Sequence, residues 1–483
     1  TAGRILRDRS RDLVRNNPHV AKAVEALVSN AVGTGVRPRP KLDDKDQNKK
    51  VVDAFNKWAK AGGCDQDGQL DFYGLQHLAV REMIEGGEVL IRRSLTKSSK
   101  KQDVPLQLQL LEADFLDPFK NGPLSEGTFS IQGVEISSSG DNISKRVAYW
   151  LYEQHPGTLF FNTAQSLISK PVPASEVLHV YEKQRTQMRG VPWGTPSFET
   201  LKHLADYELA EIVRKRTEAC MVALITTEDE AQVGWNHTDP DGIHDTIQAG
   251  AYDRSGNPID YFEPGQIGYI SGGKTVAFNS PASIGGYNEY KTSQLRTAAS
   301  GFRVPYELLS GDLSSVNFSS MRGGTVEFRR IISSIQARIL VPMFLDPVWE
   351  WWCEAAFLAG VIDTPDVPVD WAFPKWEYVN PTDDVAAQNE AIRSGLTSWA
   401  ATVADAGFDP DELYEEIKAF QDKASKDGVV LDSDPRASTG RGVAQKSDEP
   451  SKGKGSKKKK KKTKKQDGAI PADTPDQSDD DTV

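Results

Sequence analysis

The chain has 483 residues, 38% hydrophobic and 26% charged, with a net charge of −11, which suits two or three packed units of ordinary globular composition. Its longest clean apolar run, about seven residues around Met221–Ile225, is far short of the roughly 20 that a membrane span needs, so no membrane partner is expected. Cys64, Cys220 and Cys353 lie far apart with no CxxC spacing, which argues against a disulfide framework or zinc centre and points to buried thiols in a reducing compartment.

The first clear helix begins with Asn17 as cap and Pro18 in the first turn. Val20, Val24, Leu27, Val28 and Ala31 follow at helical spacing, and Gly33 and Gly35 end it. A polar stretch, Lys41–Lys50, leads to a short helix near Val51–Lys60, and a further helix is expected over Phe72–Ile84. The period then changes to two. Leu106, Leu108 and Leu110 alternate with Gln107 and Gln109, and Glu88–Leu95, Gly127–Ile136 and Arg146–Tyr152 also read as strands. Residues 1–190 therefore read as α+β with mainly antiparallel pairing.

Helical spacing returns over Thr195–Cys220, where Leu201, Leu204, Ala205, Leu209, Ile212 and Val213 share a face. That helix would be roughly 35–40 Å long. Residues 226–285 are rich in Gly, Pro and Asp and read as short strands and loops. Asn288–Ser300 reads as helix. Phe328, Ile331, Ile332, Ile335 and Ile339 then form an apolar stripe. Trp349, Trp351 and Trp352 follow beside Phe344, Leu345 and Phe357, as packing residues rather than base-stacking ones. Helices are expected over Asp384–Arg393 and from Asp409 and Pro410 through Lys418. From about Ser433 apolar periodicity ends, and the tail reads as disordered. It holds ten lysines between Lys452 and Lys465 and closes on Asp479, Asp480 and Asp481. Removing those ten charges from −11 leaves −21 on the rest. An acidic body repels phosphates, while a lysine tract attracts them.

Two motifs invite chemistry. Gly268–Thr275, GYISGGKT, fits G-x-x-x-x-G-K-[ST], in which Lys274 would reach a terminal phosphate and Thr275 a magnesium ion. A phosphate loop must open a helix, yet VAF, Asn279-Ser280-Pro281 and Gly285-Gly286 follow, which is strand and turn. His237, Asp239, Asp241, His244 and Asp245 suit a divalent metal by type, but their spacing matches no zinc or EF-hand pattern. Glu25, Glu82 and Glu88 read as ordinary solvated or paired carboxylates. No catalytic residues, metal site or cofactor are assigned. A P-loop ATPase acting on DNA through Gly268–Thr275 and a monomeric DNA-binding protein using the lysine tail remain as alternatives.

The segment Val304–Arg322, VPYELLSGDLSSVNFSSMR, resembles the signature loop of tailed-phage portal proteins of the lambda type. RDLVRNNPHVAKAVEALVSNAVGTGV (Arg11–Val36), GEVLIRR (Gly87–Arg93), LQLLEADFLD (Leu108–Asp117), RVAYWLYEQHPG (Arg146–Gly157) and VPASEVLHVYEKQRTQMRGVPW (Val172–Trp193) are similar to that family's blocks in the same order. The resemblance runs from Arg11 to about Gly407 and leaves the tail uncovered.

It implies an α+β subunit of a ring of about twelve copies at a capsid vertex, assembled in the bacterial cytoplasm and carried in the virion. Double-stranded DNA would pass through the ring. The partners it implies are the terminase large subunit, scaffold and major capsid protein, and head-completion or tail proteins. The chain would divide into a wing (1–194), a first stem helix (195–222), a clip (223–286) and a second stem helix (287–301). A tunnel loop (302–324), a wing helix with strands (325–380), a helical crown (381–432) and the tail (433–483) would follow. Asp312, Ser314, Ser315, Asn317, Phe318, Ser319, Ser320 and Arg322 would line the DNA channel in that loop. Arg329, Arg330 and Lys457, Lys458, Lys459, Lys460, Lys461 and Lys462 are candidate phosphate contacts.

Overall fold

The computed structural model describes residues 2–96, 103–125, 127–139, 143–157, 168–219, 224–226, 251–252, 268–270, 286–314, 317–378, 380–408 and 410–429. It is mixed α+β, and its contacts divide the chain into two units, Thr1–Pro410 and Asp411–Val483.

The chain opens with α1 (Ala2–Asn16), a helix absent from the expectations above. It buries only Arg7, Ser10 and Val14, so it carries no apolar stripe to be read. In α2 (Pro18–Ala31) the Asn17 side chain accepts from the His19 and Val20 N–H groups, as the Asn-Pro start implies. β1 (Arg37–Pro40) precedes α3 (Lys45–Trp58), which starts inside the polar stretch because Asp44 caps it. α4 (Phe72–Glu85) is capped by Asp71.

Next come β2 (Glu88–Leu95) and β3 (Leu106–Glu112). They are followed by β4 (Gly122–Ser125), β5 (Thr128–Ile131), β6 (Val134–Ser137), β7 (Arg146–Leu151), β8 (Lys170–Pro173) and β9 (Val177–Tyr181). These form a three-stranded sheet, β3-β2-β9, and a five-stranded sheet, β4-β5-β6-β7-β8, both antiparallel. The stretch 127–136 is thus a hairpin and not one strand. Gln132 (φ 52°) and Gly133 (φ 85°) make its two-residue turn between the paired Ile131 and Val134, the left-handed geometry a tight hairpin requires.

Alternation along β2 decides which core each side chain joins. Val89 and Ile91 enter the large core with α2 and α4, whereas Leu90 enters a smaller core with Leu111, Val134, Tyr149 and Val177. Glu88 shares the face of Leu90, opposite Tyr181, with His179 paired beside it to Leu90.

Beyond β9, α5 (Phe198–Ala219) leaves the body. β10 (Leu224–Thr226), β11 (Ala251–Tyr252) and β12 (Gly268–Ile270) make a small sheet in the order β10-β12-β11. α6 (Tyr287–Phe302) returns, and α7 (Tyr306–Ser310) follows. α8 (Phe318–Ile335) runs through a ten-residue π-wound stretch, Gln336–Leu345, into α9 (Asp346–Leu358). Pro342 sits in that stretch and has no N–H to give, so widening the helix there accommodates it.

By length and hydropathy the continuous helix Ser320–Leu358 would pass for a membrane span, which run-length counting did not register. Its apolar face is nevertheless core. Phe328, Ile332, Ile335, Ile339, Phe344, Trp349 and Trp352 are buried. Phe55 packs 5.2–5.3 Å from the Trp58, Trp349 and Trp352 rings, so these tryptophans pack as expected. Cys64 and Cys353 are buried free thiols, pushed up to about 12 by burial; Cys220 lies outside the described residues.

β13 (Val369–Ala372) pairs with β1, and α10 (Pro381–Arg393) and α11 (Trp399–Asp405) follow. α12 (Pro410–Asp427) is nine residues longer than the expectation that ended it at Lys418. Within it Tyr414, Ile417 and Phe420 are exposed at a three-residue spacing.

Candidate functional site

The sequence points to the segment from α5 to α8. α5 starts against the core through Leu201 and Leu204, and α6 ends there through Leu295, Ala298, Ala299 and Phe302. At this junction Ser197 Oγ donates to the Ala298 carbonyl at 2.9 Å. A Cβ on Gly301 would lie 1.9 Å from that hydroxyl, so glycine is what lets the chains meet. Farther out the two helices remain paired. Tyr207 stacks near Tyr287 and Tyr290, at 6.1 and 4.6 Å, and Lys291 Nζ pairs with Glu208 at 2.6 Å. The apolar face of α5 then continues into solvent among the described residues: Leu209 is 63% exposed and Ile212 48%.

After α6 the chain turns at Arg303, which adopts a left-handed φ of 62°. Its guanidinium holds both Glu182 carboxylate oxygens at 2.8 and 2.9 Å and lies over the Trp193 ring. Of the stretch expected as one loop, 302–324, the described residues are the end of α6, α7, a turn at Gly311 and the first turns of α8. Asn317 caps α8 by accepting the Ser320 N–H at 2.8 Å. Asp312 accepts from the Ser314 N–H at 2.9 Å and from its hydroxyl at 2.6 Å, and these bonds hold its carboxyl below the usual range. Ser320 is exposed in the first turn of α8. Ser315 lies outside the described residues, as do the side chains of Phe318 and Ser319.

The candidate arginines differ from one another. Arg322 is helical and half exposed, and it donates to Asp384 at 3.3 Å. Arg329 donates to the Glu377 carbonyl and lies 5.2 Å over the Trp376 ring. Arg330 is exposed and makes no ion pair among the described residues. Lys457, Lys458, Lys459, Lys460, Lys461 and Lys462 lie outside the described residues. So do the His237–Asp245 group and all of the phosphate-loop lookalike except Gly268–Ile270, which is β12.

A polar cluster that sequence reasoning missed lies between α1, α4 and the two sheets. Glu88, 1% exposed at its side chain, accepts from Arg189 Nε at 2.6 Å, the Gly190 N–H at 2.7 Å and His179 Nε2 at 2.8 Å. Burial opposes its charge, but Arg189 and His179 hold its carboxyl well below the usual carboxylate range. Burial also lowers His179, which fits a neutral ring whose Nδ1 faces Arg146 Nη1 at 3.4 Å. Gly190 must be glycine, because a Cβ there would meet the Gly87 carbonyl at 2.0 Å.

Beside Glu88, Arg7 lies 3.6 Å from both Glu88 and Asp114. Arg11 reaches Asp114 at 2.6 Å, Glu112 at 2.8 Å and Glu82 at 2.9 Å. Burial pushes Glu82 up to about 7 against the pull of Arg11. Glu112, Asp114 and His155 converge as metal ligands might in another protein. Here the Arg11 guanidinium already supplies the positive charge to both carboxylates. The cluster is a fastening for α1, since Arg7 and Arg11 of that helix pair with Glu82, Glu88, Glu112 and Asp114. Only Glu88 and Glu82 had been named from sequence; nothing local marks burial or three-dimensional convergence.

The family model described as phage portal protein, lambda family, matches residues 1–336. The chain is 28% identical over 431 residues to a probable portal protein of Halomonas phage phiHAP-1, covering 85% of this chain and 79% of that protein. It is 22% identical over 471 residues to a portal protein of Escherichia phage N15, covering 89% and 85%. Among solved structures it is similar to a chain in the neck of a native GTA particle computed with C12 symmetry. That match has a TM-score of 0.41 at 13% identity and covers 83% of this chain and 94% of the other. A chain in the virion of a native gene transfer agent particle gives 0.43 at 14%, with the same coverage.

Proposed function

Since the chain belongs to the lambda family of phage portal proteins, and is thus a structural component of the virion and not an enzyme, we propose that it works as one subunit of a closed ring of about twelve copies. The ring conducts double-stranded DNA into the capsid during packaging and out of it during ejection. It performs no chemical step. It guides DNA and offers a docking face to the terminase large subunit, to scaffold and major capsid protein, and to head-completion or tail proteins. The P-loop ATPase alternative does not survive family membership.

The observation that carries the ring is the α5 face. Leu201 and Leu204 spend the same stripe on this chain's own core, while Leu209 and Ile212 leave it exposed. A contiguous apolar face of this kind is stabilised by covering it, and in a ring a neighbouring copy does so. In this reading α5 and α6 are the two stem helices, 223–286 the clip, and 302–324 the channel-lining stretch. α10 to α12 form the crown, and residues 1–194 and 325–380 the wing. The turn at Asp312 and Ser314 uses its polar groups internally, and Ser320 is small and uncharged. That suits a surface that must pass DNA without gripping it.

Leu209→Glu with Ile212→Glu tests this by sizing chromatography. Wild type should elute as a large closed assembly and the double variant as a monomer with unchanged helix content. An unchanged assembly in the variant removes the stem from the interface.

The lysine tract gives the tail a separate role, holding packaged DNA by a salt-dependent contact. Truncation at Ser451 should leave the ring intact and lower the affinity for duplex DNA. Monomers that lose all DNA binding on this truncation would favour the monomeric DNA-binding alternative.

A further inference from the structure

Helix α10 buries none of its residues, so no apolar face fastens it. The segment before it is anchored differently at its two ends. Trp376 packs against the large core. Among the described residues from there to α10, hydrogen bonds tie the segment down. The Tyr378 hydroxyl donates to Gln388 at 2.9 Å, and Asp384 Oδ2 accepts the Asn380 N–H at 3.1 Å, closing the first turn of α10. Two arginines of α8 reach this segment. Arg329 donates to the Glu377 carbonyl and lies over Trp376, while Arg322, seven residues earlier and so about two turns away, donates to Asp384. Both side chains point to 376–384 and hold partners there.

We propose that Arg322 and Arg329 are positioning residues. They form a two-point bracket on α8, received by Asp384 and Trp376, that sets the placement of α10 and carries displacement of the start of α8 into it. The reading of Arg329 as a phosphate contact gives way to this one, and Arg330 is exposed with no ion pair among the described residues. The bracket has a stiff end and a yielding end. Arg329 is fixed by a ring and a carbonyl beside the core. Arg322 and Asp384 are 48% and 22% exposed and share one hydrogen bond, which screening ions weaken. The inference does not depend on which helix faces DNA, so it can fail while the portal reading stands.

Hydrogen exchange on the full chain, read over residues 381–393, tests it. At low salt Arg322→Gln and Asp384→Asn should each raise exchange roughly two- to five-fold, the range an exposed ion pair supports. The double variant should be no faster than the faster single one, and Arg322→Lys should restore most of the protection. Arg330→Gln, the same loss of charge, should change nothing over 381–393. In about 1 M salt, where the Debye length is near 3 Å, wild type should approach the Arg322→Gln rate. Wild-type protection in Arg322→Gln at low salt overturns the bracket. So do effects that multiply in the double variant, or a variant effect that persists undiminished in high salt.

Discussion

Arginine and carboxylate meet in two places in this molecule, and burial makes them different devices. Around Glu88 the charges are sealed between α1 and the sheets, and every polar atom of the carboxylate is spoken for. At Arg322 and Asp384 the same chemistry lies in water on one hydrogen bond. A buried pair costs desolvation and then cannot lose a partner cheaply, whereas an exposed pair is worth little and exchanges readily. The body is therefore fixed by charges that salt does not reach. The segment between α8 and α10 is set by charges that salt does reach.

The strongest test of that contrast is Glu88→Gln, which leaves Arg189 and Arg7 facing a neutral group. A loss of about 3–5 kcal/mol in chemical denaturation is expected, with little dependence on salt. A loss below about 1 kcal/mol would put this cluster in the same class as the exposed pair.

The next effect is a pH response at Glu82. Its carboxyl is raised from 4.5 to about 7, so the folded state binds the proton more tightly than the unfolded chain. The stability this adds is complete below about 4.5 and is lost as pH rises through about 7. The change should be on the order of 3 kcal/mol, and Glu82→Gln should abolish it. A wild-type profile that rises across that window contradicts the assignment.

Asn317→Ala should cost about 1 kcal/mol as a lost helix cap, felt as faster exchange over the first turn of α8. Smallest of all, Arg322→Gln should change global stability by less than about 1 kcal/mol, and the difference should vanish in high salt. A larger, salt-resistant loss would mean that the exposed pair behaves like the buried one.

What could be read from the sequence follows the same division. Patterns that record apolar burial were legible: α2 with its Asn17-Pro18 start, the alternating leucines of β3, and the stripe from Phe328 to Ile339. Elements held by polar groups were not. α1 escaped because Val14 is the one apolar residue among the three it buries, while Arg7 and Arg11 make ion pairs. Gly127–Ile136 reads as one strand, although it folds as the β5–β6 hairpin, because Gln132-Gly133 gives a weaker turn signal than Asn-Gly. The expected loop 302–324 ran too long because Asn317, read as a channel residue, is a helix cap, and the helix therefore begins six residues before Gly324. The arginines of α8 stand out in the sequence as candidate contacts. Their partners at Trp376, Glu377 and Asp384 lie 47 to 62 positions away, beyond the reach of local pattern.

The account's central claim is that this chain closes into a ring around a channel. Native mass spectrometry with negative-stain images of the purified full chain, with and without ATP and magnesium, tests it most directly. The account predicts closed rings of about twelve subunits with a central hole, unchanged by nucleotide. A monomer, or an assembly that retains ATP and changes with it, would contradict it.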